Sequence, residues 1–154
     1  MEESNNRKLE EVADRMEITD LISRSAWFMD EGDVEAWVEL FTDDAGIDGT
    51  LFVGREIKGK EVLKEFCTQL TETFGAMGVL QGRHMMTNIS IELLGDGKAK
   101  ARFYMLASIG IPYIAQPIPS VLGTYHSQLV KIDGKWLFSQ LTAKPDNYSQ
   151  YEFK

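Results

Sequence analysis

One carboxylate and one imidazole carry the chemistry this chain can do. In Ser25-Ala26-Trp27-Phe28-Met29-Asp30-Glu31-Gly32-Asp33 an acid interrupts an apolar helical stripe. Ile22, Ala26 and Asp30 stand four apart, so their side chains stack on one helix face. Two of the three favour burial, which carries the Asp30 carboxylate to the edge of a core, where it is costly unless a donor meets it. The chain has 2 histidines. His84, in Arg83-His84-Met85-Met86-Thr87-Asn88, is the expected donor. Histidine ordinarily titrates near ~6.5, so a neutral imidazole is the natural proton acceptor at physiological pH. A neighbouring carboxylate fixes its tautomer and stabilises the imidazolium that forms. The chemistry expected is proton abstraction by His84, oriented by Asp30, with loss of a group from the adjacent carbon. Tyr104, Ser108, Tyr125 and Tyr113 are the candidate donors to that leaving group.

The elements that must bring the pair together follow from periodicity. Leu9, Val12, Ala13 and Met16 keep a helical period, then Ile18, Leu21, Ile22, Ala26 and Met29 restart out of phase. That slip predicts two helical segments or a bend near Glu17. Gly32 closes the run and Asp33 caps a short helix over 34–40. A hairpin is expected over 46–57, with Gly49 and Gly54 at its turns or bulges. A helix over 60–74 carries Val62, Leu63, Phe66, Leu70 and Phe74 at core spacing, and 75–82 is a glycine-rich loop. Alternating runs over 84–94, 98–109, 121–131 and 135–143 are strands, joined by tight turns at Gly95-Asp96-Gly97 and Asp133-Gly134. The proline-bearing stretch 110–120 reads as an irregular lip or lid. Helices followed by antiparallel strands make an α+β layout, a strongly curved sheet wrapped against helices around a pocket.

One point of register is awkward. Alternation puts Ile89, Ile91 and Leu93 on one face of their strand and His84, Met86 and Asn88 on the other. A β-bulge around Thr87-Asn88 would turn His84 back to the core side, and bulges gather beside active sites.

Composition bounds the rest. At 154 residues the chain is expected to be a single domain, 1–154. A net charge of −8 argues against nucleic acid and anionic membranes. No apolar run approaches the roughly eighteen residues that span a bilayer. The N-terminus lacks a signal peptide's apolar stretch, and 1 cysteine, Cys67, excludes an internal disulfide, so the cytoplasm is expected. Two histidines without close spacing make a poor metal shell. Trp27, one turn before Asp30, is expected to touch a ligand. Met77, Met85 and Met86 would offer an adaptable apolar wall. His126 is expected to be structural or pocket-lining, Arg83 a surface ion pair, and Trp27, Phe28, Trp37, Phe103, Trp136 and Phe138 core aromatics.

The chain resembles the NTF2-like superfamily, within it the SnoaL-like and scytalone-dehydratase-like branch, from about Leu9 to Phe153. Three places carry the resemblance. They are the run from Trp27-Phe28-Met29-Asp30 through Trp37 and Leu40-Phe41 to Asp44-Ala45, the strand His84-x-x-Thr87-Asn88, and Ile132-Asp133-Gly134-Lys135-Trp136-x-Phe138 with Lys144-Pro145-Asp146. The resemblance implies a cone-shaped α+β barrel and a catalytic Asp30–His84 pair that works without metal or organic cofactor. It implies a homo-oligomer, a trimer ahead of a dimer. The activity implied is a cofactor-independent, dehydratase-like lyase on a small apolar, aromatic or polycyclic hydroxylated substrate. The groups that choose the substrate do not carry over from the resemblance; from their places in the chain, Trp27, Met86, Tyr104, Ser108, Tyr113, Tyr125 and His126 are the residues expected to line it. Two alternatives stand beside it: a ketosteroid-isomerase-type isomerase with Asp30 as base, and a non-catalytic subunit like the small subunit of ring-hydroxylating dioxygenases. The chain departs from related lyases at Ser25, where they often carry tyrosine or lysine. It departs again at Ala107, where the bile-acid dehydratase branch has an aspartate.

Overall fold

The computed structural model describes residues 2–48, 54–78 and 81–146. Its elements are α1 (Glu2–Glu31), α2 (Val34–Val38), β1 (Phe41–Asp48), β2 (Glu56–Lys58), α3 (Lys60–Ala76), β3 (Gln81–Gly95), β4 (Lys98–Gly110), β5 (Ile118–Ile132) and β6 (Lys135–Pro145). They form the α+β arrangement expected, three helices against a six-stranded, curved, unclosed sheet in the order β2-β1-β6-β5-β4-β3. Only β1 and β6 run parallel, and the other neighbours are antiparallel.

α1 is one continuous helix, not two segments. Its phase slip has another cause. Leu9, Val12 and Met16 are more than half exposed, so they belong to a solvent-facing stripe. The stripe that packs begins at Ile18 and continues through Leu21, Ile22 and Ala26. At the far end the Gly32 N–H donates to the Met29 carbonyl and the Asp33 N–H to the Phe28 carbonyl, with Gly32 at φ 70°. Glycine tolerates that left-handed geometry, and the paired bonds satisfy carbonyls that the helix end would strand. Asp33 then turns the chain into α2, its carboxylate accepting from the Ala36 N–H at 3.0 Å.

The second helix ends at Val38, short of the expected 40, and Phe41 opens β1, paired to Phe138 of β6. The Phe41 ring joins Trp37 at 4.6 Å and Phe138 at 5.2 Å between centroids. These rings pack with Leu63, Phe103 and Leu129 in one core between sheet and helices, the closed end of the fold. Each fully buried side chain of this size contributes roughly 1.5–3 kcal/mol. The hairpin expected over 46–57 forms, pairing Gly46 with Lys58 and Asp48 with Glu56. Gly49 lies outside the described residues, as do 79–80 of the glycine-rich loop and the tail from 147. Asp96-Gly97 and Asp133-Gly134 all have positive φ, the left-handed pair that tight hairpins require. β5 starts at Ile118, so only 111–117 of the expected lip are outside strands.

A polar clamp fastens α1 to the sheet. Asp14 accepts from Lys131 Nζ at 2.7 Å and from Trp136 Nε1 at 2.9 Å. Burial would raise the Asp14 carboxyl, but the hydrogen bonds from Lys131 and Trp136 outweigh it and hold it below the ordinary aspartate value of 3.8. A lowered folded-state value means that the clamp's contribution is complete above 3.8 and fades as pH falls through the lowered value. Asp14→Asn should therefore lower stability by up to about 1 kcal/mol at neutral pH. In urea denaturation the gap between variant and wild type should close as the solution is acidified.

Candidate functional site

Between the concave face of the sheet, the end of α1 and α3 lies a cavity of about 750 Å³. Phe66, Leu70 and Phe74 of α3, spaced four apart, roof it. Sequence spacing gave these residues to the core, and a periodic apolar stripe cannot tell a filled interior from a chamber wall.

Asp30 and His84 meet at the cavity's edge. The stripe through Ile22 and Ala26 does carry Asp30 inward, and its side chain is only 5% exposed. His84 Nδ1 lies 2.7 Å from Asp30 Oδ1. The His84 backbone N–H adds bonds of 3.1 Å to each carboxylate oxygen. An ionised carboxylate only accepts, so in the neutral imidazole this contact puts the hydrogen on Nδ1 and the lone pair on Nε2. Gln81 supplies a latch that sequence reasoning missed. Its Nε2 donates to the Asp30 carbonyl at 3.0 Å and to the Gly82 carbonyl at 2.8 Å. That ties an otherwise stranded carbonyl of the α1 terminus to the first residues of β3.

The expected bulge is present. Thr87 pairs with Tyr104 but Ser90 pairs with Arg102, so four residues of β3 oppose three of β4. The extra residue is Asn88, at φ 54°. Before it His84 and Met86 are half-buried, and after it Ile89, Ile91 and Leu93 are. One inserted residue therefore puts both sets on the core side.

Of the other expected ligand contacts, Trp27, Met86, Ser108 and Tyr125 line the cavity. Trp27 does so from its mouth, 58% exposed, and so is no core aromatic. Three residues are not brought there. Tyr104 stands between buried Phe103 and Met105, so alternation turns it to the outer face of the sheet. His126 follows Tyr125 and faces outward for the same reason, paired across to Arg102. Partial burial, then the Lys144 and Arg102 charges, pull its imidazole below the usual value. Tyr113 is fully exposed in the β4–β5 turn, at φ 66°. Arg83, expected in an ion pair, donates to the Gly82 carbonyl at 2.9 Å and meets no acid among the described residues. Cys67 also lines the cavity, and burial pushes its thiol up to about 11, so it stays protonated at neutral pH.

Helices on one face of a curved, unclosed sheet with an apolar chamber between them define a small-molecule-binding α+β domain. The chain belongs to the SnoaL-like domain family, whose model matches residues 10–142. Among solved structures it is similar to an NTF2-like protein with a cystatin-like fold from Novosphingobium aromaticivorans. The TM-score is 0.81 at 18% identity, over 94% of this chain and 90% of that one. A protein of unknown function from Mycobacterium tuberculosis is 25% identical, with a TM-score of 0.74 over 87% of this chain and 77% of that one. A type 2 hexachlorocyclohexane dehydrochlorinase is 22% identical, with a TM-score of 0.75 over 90% of this chain and 89% of that one. None of the curated proteins matches this chain. Among the described residues no helix is long and apolar enough to cross a membrane.

The bulge makes a specific demand on residue 88. Asn88→Gly should keep stability within about 1 kcal/mol, whereas Asn88→Val should cost roughly 1–3 kcal/mol because a β-branched residue resists positive φ. Chemical denaturation of the two variants measures the difference.

Proposed function

We propose that this chain is a cofactor-independent lyase that performs a dehydratase-like elimination on a small, apolar, ring-bearing hydroxylated substrate. The observation that carries the proposal is the 2.7 Å contact between His84 Nδ1 and the Asp30 carboxylate on the wall of an apolar chamber. His84 Nε2 takes a proton from carbon. The C–H electron pair becomes the new double bond, the C–O bond on the neighbouring carbon breaks, and the departing oxygen takes a proton to leave as water. The imidazolium just formed is one source of that proton. Of the four hydroxyls considered as donors, Ser108 is the nearest along the sheet, next to Ala107, which pairs with His84. Asp30 stabilises the imidazolium across the shared hydrogen bond and keeps the ring from turning. An apolar lining strengthens both effects. The similarity to a hexachlorocyclohexane dehydrochlorinase is in keeping with elimination chemistry, although the likeness itself extends to the fold alone.

The isomerase alternative, with Asp30 as the base, is less well supported. Both Asp30 oxygens already accept from His84 donors and the side chain is 5% exposed, which suits a carboxylate that orients the ring better than one that takes the proton itself. The binding-subunit alternative would be favoured by a filled interior or a separated pair. A homo-oligomer in the cytoplasm, trimer ahead of dimer, completes the proposal. The exposed Leu9, Val12, Met16, Met85 and Leu122 are in keeping with self-association.

A panel of hydroxylated aromatic and polycyclic compounds, followed by product formation and solvent deuterium uptake, tests the chemistry. His84→Ala should lower turnover roughly 100- to 10,000-fold, and Asp30→Asn by about 100-fold or more. Loss in Asp30→Asn with full activity in His84→Ala would select the isomerase. No turnover of any compound by the wild type would favour the binding subunit. Sedimentation equilibrium should give three times the mass of one chain, and a monomer at all concentrations would remove the oligomer from the proposal.

A further inference from the structure

The far end of the chamber holds a hydrogen-bond donor that the elimination does not use. Tyr125 lies on β5 with its ring stacked on Phe103, centroids 5.6 Å apart and planes 24° from parallel. The Tyr125 hydroxyl has no hydrogen-bond partner among the described residues. No fully buried side-chain oxygen or nitrogen there lacks one. The hydroxyl is therefore open to the cavity that the residue lines. Burial pushes the phenol up to about 12, so it remains a neutral donor across the working range of pH.

Its place in the sheet sets the distance to the chemistry. His84 pairs with Ala107 of β4, whereas Tyr125 pairs with Phe103 of the same strand. Four residues along a strand are about 13 Å, and β3 to β5 is two strand spacings, about 10 Å. The two Cα atoms are thus on the order of 15 Å apart across a concave surface, with both side chains aimed inward. The gap between the phenol and the imidazole suits a ligand of two or three fused rings.

Charge is divided between the two ends. The charged or chargeable groups lining the cavity near Asp30 are Glu31, Arg83 and His84, all where α1 ends and β3 begins. Around Tyr125 the lining is Phe103, Met105, Phe138, Leu141 and Ala143. An anionic or cationic group at that end would lose its hydration with no counter-charge. A neutral acceptor oxygen would gain the one donor on offer.

We infer that Tyr125 is a specificity-determining residue: it holds a carbonyl-type oxygen at one end of a neutral bicyclic or polycyclic ligand whose other end is presented to His84. The inference rests on the cavity being the substrate site, and it requires no turnover. A ketone separates the two ends chemically. It can only accept, and the neutral His84 tautomer with hydrogen on Nδ1 has nothing to donate from Nε2.

The test compares equilibrium binding of 2-acetylnaphthalene and 2-ethylnaphthalene, near-isosteres that differ by the carbonyl oxygen. The wild type should bind the ketone about five-fold or more tightly, the usual gain from one buried hydrogen bond. Tyr125→Phe keeps the ring stack and should bring the two affinities within about two-fold. His84→Ala and Asp30→Asn should keep the wild-type preference. Equal affinities in the wild type, a preference that survives Tyr125→Phe, or no binding of either probe would overturn the inference. A ketone preference in a protein that turns over nothing would leave the Tyr125 site standing and remove only the elimination.

Discussion

A carboxylate with a twentieth of its side-chain surface exposed has to be met by donors, and at Asp30 those donors come from one residue. His84 answers with its backbone N–H and its ring together. An unanswered buried charge costs several kcal/mol, so the last turn of α1 and the first residues of β3 are held in one arrangement. The Gln81 amide repeats the tie at the level of the main chain. A pair built in this way is fixed by the fold before any ligand arrives. Preorganisation of this kind suits the proposed proton transfer, since nothing would have to reorient when charge moved onto the imidazole.

The bulge at Asn88 makes this compatible with a packed sheet. β3 has two duties: below the bulge it covers the core with Ile89, Ile91 and Leu93, and above it the strand must face the chamber with His84 and Met86. A period of two cannot serve both sets, because they differ by an odd number of positions. One inserted residue restores the phase at the cost of a left-handed asparagine. Asparagine bears that geometry more easily than most residues, which is why the site can be held without a glycine that would loosen the strand.

How much of this is legible in the sequence depends on which rule governs each residue. Asp30 and His84 could be paired because a buried acid demands a donor, the chain has 2 histidines, and the family resemblance couples the two positions. The bulge could be inferred because the alternation contradicted itself. Tyr104 and His126 were misplaced by neglect of the same rule, since Phe103 and Tyr125 facing inward commit their neighbours to the outer face. Tyr113 carried no periodic signal, being in a turn. The bend expected in α1 came from assuming that every apolar stripe is buried. Leu9, Val12 and Met16 show a helical stripe on the surface. The cavity could not be read at all: Phe66, Leu70 and Phe74 have the spacing of core residues whether or not anything fills the space beneath them.

That last limit has a physical consequence for how the domain is divided. At the closed end Ile18, Leu21 and Leu129 are fully packed, while Trp37, Phe41 and Phe138 pack ring against ring and also form part of the chamber wall. At the open end about 750 Å³ is left unfilled. A void of that size forgoes the dispersion and burial energy that filling it would provide. The closed end, the six-stranded sheet and the Asp14 clamp have to stabilise the fold without that contribution. A ligand of apolar character would recover part of what the empty chamber forgoes, so binding and folding are coupled through the same surface. The Asp30–His84 pair at the rim and the Tyr125 phenol at depth then act as points of registration on a largely apolar wall. Hydrophobic burial supplies affinity without orientation, and only directional groups such as these can decide which part of a ligand faces His84.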